Sequence, residues 1–205
     1  HHPDHTGGVA ALREATGARV IGPVRETMPE PLQRVDDGAT VQVLGRDLKV
    51  IAGPGHTLGH IAYFCANWDG APLLFSGDTL FSAGCGRLFE GTPAQMFASL
   101  SKLAELPGAT RICCTHEYTL ANLRFALAVE PHNPDLIHHH QACVGLRAKG
   151  LPTLPSNLAL EKNINPFLRS AEAEVAASAK AHAPQLTHPD PQAVFATLRE
   201  WKNHF

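Results

Sequence analysis

The sequence predicts an α/β body that is followed by an α-helical C-terminal segment. From Thr6 to about Thr115, short apolar runs typical of strands alternate with helical stretches, whereas no run from Leu120 onward has convincing strand character. Proline-rich loops such as Leu151–Pro155 separate the later helical patterns. At 205 residues, the chain is long enough for one substantial domain, or for one domain with a small appendage.

Local start and stop signals place the first elements. Val9–Thr16 has a helical pattern that Gly17 ends, since glycine readily adopts the left-handed conformation after a helix. Val41–Leu44 and Leu48–Ala52 are short β-rich runs on either side of the turn Gly45-Arg46-Asp47. They predict a β-hairpin.

The remaining elements follow the same logic. Thr92-Pro93-Ala94-Gln95 fits a capping box with proline at the first helical position, and it predicts an amphipathic helix to about Leu106. Further strands are predicted over three apolar runs, of which the last two are apolar enough to be buried: Ile61–Cys65, Pro72–Phe75 and Arg111–Cys114. The C-terminal helices are predicted over Leu120–Val129, Pro134–Ala148, Ser170–Ala183 and Pro191–Lys202.

Composition excludes several classes of function. The formal net charge of −2 gives no reason to expect nucleic acid or an anionic membrane as a partner. No apolar run approaches the roughly 20 residues that a membrane-spanning helix needs. The five cysteines are odd in number and lack C-x-x-C spacing, which favours reduced thiols in a cytoplasmic protein over a disulfide framework.

Histidine and aspartate residues cluster on the loops that follow the predicted strands. They lie in four motifs: His2-Pro3-Asp4-His5, Gly53–His60 around His56, Phe75–Leu80 around Asp78, and Cys113–Tyr118 around His116. Each motif alone is more typical of an ordinary loop or helix cap. Four at successive strand ends indicate a ligand site, since sites in open α/β sheets gather there. Histidine with aspartate is a ligand set for borderline divalent metals.

Other histidines and cysteines are interpreted as structural. His60 opens a strand four residues after His56, and we interpret it as a structural residue or one that supports a ligand. His138-His139-His140 lies within a predicted helix, where consecutive side chains face different directions, so a solvated surface is favoured over a metal site. Cys85, Cys113 and Cys114 are interpreted as packing residues, although Cys85 lies close to the predicted site.

The motifs resemble those of the metallo-β-lactamase superfamily, whose signature is H-x-H-x-D-H followed by a distant His, Asp and His. Within it, Gly55–His60, Gly77–Gly91 and Thr115–Thr119 resemble the hydroxyacylglutathione hydrolase (glyoxalase II) family, and the match runs from His1 to Phe205. The resemblance implies an αββα sandwich over residues 1–117, with its opening strands expected before His1. It implies an α-helical substrate-binding domain over residues 118–205.

The resemblance also implies a site for two divalent metal ions, with zinc as the predicted metal and iron or manganese as alternatives. The implied ligands are His2, Asp4, His5, His56, Asp78 and His116. His2 and His56 would hold the first ion, together with a histidine expected one place before His1. The others would hold the second, and Asp78 would bridge the two, as one carboxylate can do for ions about 3.5–4 Å apart.

The implied reaction is hydrolysis of S-(2-hydroxyacyl)glutathione, typically S-lactoylglutathione, to glutathione and a 2-hydroxy acid, the detoxification of methylglyoxal. A hydroxide that bridges the two metals would attack the thioester, with Asp4 and Asp78 as the catalytic carboxylates. The implied substrate-binding residues are Arg87, Phe89, Tyr118, Arg199 and Lys202. Arg199 and Lys202 share one helical face, which suits a carboxylate, although cations are also ordinary at a helix end.

Two alternatives remain open at this point. A persulfide dioxygenase, a mononuclear iron oxidoreductase, shares the superfamily motifs but generally lacks the long helical C-terminal segment and the Arg-x-x-Lys ending. The second alternative is an inactive, truncated fragment that binds glutathione without turnover. We expect a cytoplasmic monomer with no nucleic acid or membrane partner.

Overall fold

A computed structural model describes residues 1–205 as a chain of alternating strands and helices with helices at its C-terminal end. The strands are β1 (Ile21–Pro23), β2 (Gln33–Val35), β3 (Thr40–Val43), β4 (Arg46–Ala52), β5 (Ile61–Trp68), β6 (Ala71–Gly77), β7 (Leu80–Phe81), β8 (Gly84–Cys85), β9 (Arg111–Cys114) and β10 (Ser156–Asn157). The helices are α1 (Pro3–Thr6), α2 (Val9–Thr16), α3 (Pro93–Ala104), α4 (Thr119–Val129), α5 (Pro134–Ala148), α6 (Leu158–Ile164), α7 (Ala173–His182) and α8 (Pro191–Asn203).

The central sheet has six strands in the order β10-β9-β6-β5-β4-β3. β5 is antiparallel to both of its neighbours, so β4 and β6 run in the same direction, and β9 is parallel to β6. The carboxyl ends of β4, β6 and β9 therefore lie at one edge of the sheet. The loops that carry His56, Asp78 and His116 leave from that edge.

The predicted hairpin is present, but its turn lies earlier and is shorter than the sequence suggested. β3 pairs with β4 from Thr40 opposite Lys49 to Val43 opposite Arg46. The turn is Leu44-Gly45, and both residues have positive φ, 50° and 74°. A two-residue turn of this kind matches the right-handed twist of the flanking strands, which explains why it replaces the expected Gly45-Arg46-Asp47.

A second hairpin escaped prediction. β5 extends to Trp68 and β6 begins at Ala71, so both strands are longer than the predicted Ile61–Cys65 and Pro72–Phe75. Asp69 and Gly70 form the turn between them with φ values of 53° and 88°. Asp-Gly is one of the favoured pairs for such a turn, so the signal was present in the sequence.

Several local predictions are confirmed. Gly17 ends α2 in the left-handed conformation at φ 65°. Thr92 and Gln95 form the reciprocal capping box at the start of α3. The predicted strand Arg111–Cys114 and the predicted helix Pro134–Ala148 have the predicted bounds.

The expectation of no strand after Leu120 is wrong at one place. β10 is two residues long, and Ser156 and Asn157 pair with Ile112 and Arg111 at the edge of the sheet. A two-residue strand has no periodicity that a sequence could display. The seven-residue helix α6 was missed as well; Asn157 caps it by accepting a hydrogen bond from the Leu160 N–H.

The principal hydrophobic core joins the sheet to the C-terminal helices. Its fully buried members include Leu74 and Ile112 from the sheet, Phe125 from α4, and Val194 and Phe195 from α8. Burial of a side chain of this size contributes roughly 1.5–3 kcal/mol. The last helix is therefore held against the α/β body, which fixes where the side chains of α8 meet the site loops.

Two further structural facts bear on the sequence predictions. All five cysteines are free thiols. None of the helices combines the length and the apolar character that crossing a bilayer requires.

Candidate metal and substrate site

The carboxylate of Asp78 lies at the centre of a histidine cluster. Its Oδ2 is 2.9 Å from His5 Nε2 and 3.1 Å from His56 Nε2, and its Oδ1 is 3.7 Å from His116 Nε2. Asp78 follows β6, His56 follows β4 and His116 follows β9, so the common edge of the sheet brings three of these residues together. His5 comes from the single helical turn α1.

The cluster consists of two groups of potential metal ligands. One group contains His2, His56 and Asp78, and the other contains Asp4, His5 and His116; within each group the ligand atoms lie within 4.8 Å of one another. His56 Nε2 is 3.1 Å from His2 Nδ1, and His116 Nε2 is 3.2 Å from Asp4 Oδ2. The structure thus brings together all six side chains that the family resemblance implied as ligands, and it divides them in the implied way.

Local contacts orient the two best-buried members of this cluster. The main-chain carbonyl of Arg87 is 2.8 Å from His56 Nδ1, which places the ring proton on Nδ1 and leaves the Nε2 lone pair facing the cluster. The backbone N–H of Asp78 donates to His60 Nε2 at 3.0 Å, and His60 Nδ1 lies 3.1 Å from the Thr79 hydroxyl. His60, which the sequence left as structural or supporting, therefore contacts the main chain of Asp78.

Electrostatics hold Asp78 in its charged form. Burial alone would raise its pKa, but hydrogen bonds with His56 and Thr115 outweigh burial and leave the pKa well below its usual range. His60, in contrast, is held in its neutral form, because burial lowers the pKa of its ring to about 4. Gly77 has φ 54°, and a Cβ atom there would overlap the His60 ring, so glycine is required beside it.

A cavity of about 650 Å³ opens beside the cluster. Its wall contains every residue that the resemblance implied for substrate binding: Arg87, Phe89, Tyr118, Arg199 and Lys202. The Tyr118 ring stacks on His116 at 5.0 Å between centroids, and Phe89 packs edge-on against His2 at 5.4 Å. Both aromatic side chains line the cavity and remain exposed to solvent.

Arg199 and Lys202 occupy this cavity in different ways. Arg199 is buried, and its Nη1 donates to the Cys85 carbonyl at 3.0 Å while the guanidinium lies 5.3 Å from the centre of the Phe167 ring. Lys202 is only half-buried, and its Nζ donates to Asn122 Oδ1 at 2.6 Å. Burial and, after it, the charge of Arg199 lower the pKa of Lys202 to about 8. The sequence periodicity placed Arg199 and Lys202 on one helical face, but it did not show that one would be buried and the other would remain partly exposed.

Side chains from the C-terminal helical segment hold residues Phe81 to Gly86, which include the tip and second strand of the short β7–β8 hairpin between Asp78 and Arg87; we call them the Phe81–Gly86 loop. Glu161 accepts the Ala83 N–H at 2.7 Å, Asn165 Nδ2 donates to the carbonyls of Phe81 and Gly84, and Asn122 Nδ2 donates to that of Ser82 at 2.9 Å. The sequence analysis missed Asn122, Glu161 and Asn165. Their partners lie 40 to 84 positions away, and only their polarity within apolar helical patterns could have hinted at them.

The donor set fits divalent metal ions. His56 Nε2 lies 3.1 Å from His2 Nδ1 and 3.1 Å from Asp78 Oδ2, and the Arg87 carbonyl accounts for the proton of His56 on the far side of its ring. Imidazole nitrogens with carboxylate oxygens are the ligands that zinc, iron and manganese accept. A single carboxylate shared by the two groups is the arrangement expected of a two-metal site.

Comparison with known proteins identifies the superfamily of the fold. Residues 1–116 match the family model described as the metallo-beta-lactamase superfamily. The crystal structure of ETHE1 from Myxococcus xanthus is 27% identical with a TM-score of 0.59, covering 98% of this chain and 72% of that one. The structure of TTHA1623 in a di-iron-bound form is 27% identical with a TM-score of 0.54, covering 82% of this chain and 73% of that one. The fold and site define a member of the metallo-β-lactamase superfamily.

The C-terminal half narrows the assignment. Residues 117–205 match the family model described as the hydroxyacylglutathione hydrolase C-terminus. A hydroxyacylglutathione hydrolase of Albidiferax ferrireducens is 60% identical over 205 residues, which cover 100% of this chain and 80% of that protein. One of Pseudomonas aeruginosa strain PAO1 is 55% identical and covered to 78%. The chain therefore belongs to the hydroxyacylglutathione hydrolase family, and it is a metal-dependent hydrolase. The predicted fold class and family are confirmed.

Proposed function

We propose that the protein hydrolyses the thioester bond of S-(2-hydroxyacyl)glutathione, typically S-lactoylglutathione, to glutathione and a 2-hydroxy acid. One observation carries the proposal: the carboxylate of Asp78 is shared by two histidine groups, and the cluster opens into the cavity that Lys202 and Arg87 line. The names of the relatives that are 60% and 55% identical over the whole chain support the same reaction.

The six clustered side chains would hold two divalent ions, and we propose zinc as the metal. His2 and His56 would bind one ion, Asp4, His5 and His116 would bind the other, and Asp78 would bind both. When bound, such ions acidify a water molecule towards a pKa of about 7 and polarise a carbonyl oxygen. No serine or cysteine nucleophile is needed, and burial raises the pKa of the Cys85 thiol, which keeps it protonated.

The protein's own residues prepare the site for this chemistry. The Arg87 carbonyl holds the His56 ring in one tautomer, and the Asp78 backbone donates to His60. Asp78 stays ionised because imidazoles and the Thr115 hydroxyl surround it. The ligand geometry is therefore set by hydrogen bonds before any substrate arrives.

Glutathione brings two carboxylates, and the cavity supplies cations for them. Lys202 and the exposed Arg87 both line the cavity, and the Lys202 ammonium is held there by Asn122. We propose that Lys202 binds one carboxylate, that Arg87, Phe89 and Tyr118 line the path of the thioester, and that Arg199 adds positive charge while it holds the Cys85 carbonyl. On this proposal, residues 1–117 supply the metal site and residues 118–205 the substrate-binding domain.

Among the alternatives, a persulfide dioxygenase fits the chain less well. The match of residues 117–205 to the hydroxyacylglutathione hydrolase C-terminus includes the segment that this alternative generally lacks. An inert glutathione-binding protein would not need a carboxylate shared between two histidine groups.

The test is a direct comparison of two reactions. Protein expressed from its complete gene is loaded with zinc, iron or manganese and supplied with S-lactoylglutathione, and the released thiol is titrated. We expect one thiol released per thioester consumed, without oxygen uptake. Oxygen consumption with glutathione persulfide in the absence of thioester hydrolysis would overturn the proposal, and so would binding of glutathione without turnover by the metal-loaded protein.

We further propose that the protein is a monomer and works in the cytoplasm, where its free cysteines would remain reduced. Light scattering on the eluting peak from a sizing column should give the mass of one chain. A stable dimer would contradict the first part of this proposal, and recovery in a periplasmic or secreted fraction would contradict the second.

A further inference from the structure

Asn122 lies between the Phe81–Gly86 loop and the Lys202 ammonium. It is 3% exposed, and the two ends of its amide face different partners. Nδ2 donates to the Ser82 carbonyl at 2.9 Å, and Oδ1 accepts from Lys202 Nζ at 2.6 Å. Because a carbonyl only accepts and an ammonium only donates, these partners allow one orientation of the amide.

Packing places the amide against the backbone of Gly84. A Cβ atom added at Gly84 would lie 2.6 Å from Asn122 Nδ2, so the amide packs directly on the glycine backbone. The loop it packs on is itself held from the helical segment, by Glu161 at Ala83 and by Asn165 at Phe81 and Gly84. The Ser82 carbonyl is therefore a fixed anchor for Asn122.

An anchored Asn122 can restrict the position of the flexible Lys202 side chain. A lysine side chain is a flexible stem with a point charge at its end, and it loses rotamer freedom when it binds an anion. Burial and, after it, repulsion by the Arg199 guanidinium disfavour the charged ammonium of Lys202 and lower its pKa to about 8. The Asn122 carbonyl oxygen is the acceptor that holds the ammonium in the cavity despite that repulsion.

We propose that Asn122 is a positioning residue that holds the Lys202 ammonium in place for a carboxylate of the ligand and ties it to the Phe81–Gly86 loop. The inference rests on the proposed function, in which Lys202 binds a glutathione carboxylate. Asn122 need not contact the ligand itself. Its contribution to ligand affinity acts through Lys202, because a lysine fixed before binding loses less freedom when the carboxylate arrives.

A double-mutant cycle with S-methylglutathione tests the inference. This ligand carries both glutathione carboxylates but no thioester and no free thiol, so calorimetry on the zinc-loaded protein reports binding without turnover. We expect Asn122→Leu to weaken binding roughly tenfold, the order of a hydrogen bond to a charged group. In a Lys202→Met background, the same change should weaken binding less than twofold.

Asn165→Leu is the matched control. It removes an amide that holds the same loop but does not touch Lys202. Its effect on affinity should be the same in both backgrounds. If Asn122→Leu fails to fold as judged by circular dichroism, Asn122→Ala, which cannot clash with Gly84, takes its place in the cycle.

The outcomes separate the two proposals. Equal weakening by Asn122→Leu in both backgrounds, or none in either, overturns the positioning role. If Lys202→Met leaves the affinity unchanged, both the positioning role and the carboxylate site assigned to Lys202 fail. A further outcome is that Asn122→Leu weakens binding only when Lys202 is present while the unmutated protein does not hydrolyse S-lactoylglutathione. In that case the positioning role stands and the proposed reaction fails.

Discussion

Oδ2 of Asp78 lies 2.9 Å from Nε2 of His5, although 73 positions separate the two residues in the chain. The same oxygen is 3.1 Å from His56 Nε2, which belongs to the other group of ligands. One carboxylate therefore joins the two halves of the histidine cluster. This relationship is the structural basis for assigning two metal ions that share Asp78.

Replacing Asp78 with asparagine should remove the carboxylate that the two groups of ligands share. The amide cannot supply a negative charge between two cations, so we expect the bound metal to fall to one ion or fewer per chain and kcat/KM to fall at least roughly 100-fold. Metal analysis by mass spectrometry and thiol release measure the two effects. Asp47→Asn, at an exposed position of the β3–β4 hairpin, should change neither. Full metal content in Asp78→Asn would contradict the bridging role.

His60 supports Asp78 through the main chain, so its removal should weaken metal binding without removing a ligand. We expect His60→Leu to lower zinc affinity roughly 10–100-fold, the usual effect of losing a group that orients a metal ligand. Competition with a coloured chelator measures the affinity. His138→Leu, at an exposed position on α5, is the control and should leave the affinity unchanged. An unchanged affinity in His60→Leu would show that this hydrogen bond does not orient the ligand.

Lys202 should give the reaction a recognisable pH dependence. Because its pKa in the folded protein is lowered to about 8, its charge is present below pH 8 and is lost as the pH rises through that value. We expect KM for S-lactoylglutathione to rise between pH 7 and 9 while kcat changes little.

In Lys202→Met, KM should be raised at least roughly tenfold at pH 7, as expected for loss of a charged hydrogen bond, and its rise with pH should disappear. Lys180→Met, on the exposed side of α7, should behave like the unmutated protein. The same rise of KM with pH in Lys202→Met would assign the titration to another group.

The ion pair between buried Glu130 and partly buried Arg169 should contribute strongly to the free energy of unfolding. Glu130 is fully buried, and Arg169 Nε and Nη2 both donate to its carboxylate at 2.9 Å. Since Arg169→Met would leave a buried charge without its partner, we expect the free energy of unfolding to fall by about 3–5 kcal/mol.

Urea unfolding measures this change against a matched exposed pair. Arg147 lies 3.5 Å from Glu117, and both side chains reach solvent. Arg147→Met should cost less than about 1 kcal/mol. Equal losses in the two variants would mean that the Glu130–Arg169 pair contributes no more than a surface contact.

The sequence predicted features that are encoded locally. The Thr92–Gln95 capping box and the left-handed Gly17 depend on residues within four positions of one another, and both are present. The spacing of the histidine motifs predicted a cluster because the strands before His56, Asp78 and His116 end at the same edge of one sheet.

Contacts between segments far apart in the chain could not be predicted from the sequence. Nothing in the local pattern of α4 indicates that the Asn122 amide meets Ser82 on one side and Lys202, 80 positions later, on the other. Periodicity placed Arg199 and Lys202 on one helical face, but the division between them depends on where α8 packs. Arg199 reaches the Cys85 carbonyl, whereas Lys202 stays in the cavity.

The most direct test of the central claim is a metal titration of the metal-free protein, expressed from its complete gene, with thiol release from S-lactoylglutathione measured at each step. If Asp78 joins two metal ions in a thioester hydrolase, the rate should rise from near zero and level off at two zinc ions per chain. Thioester hydrolysis that persists without metal, or full activity at one ion per chain, would contradict the claim.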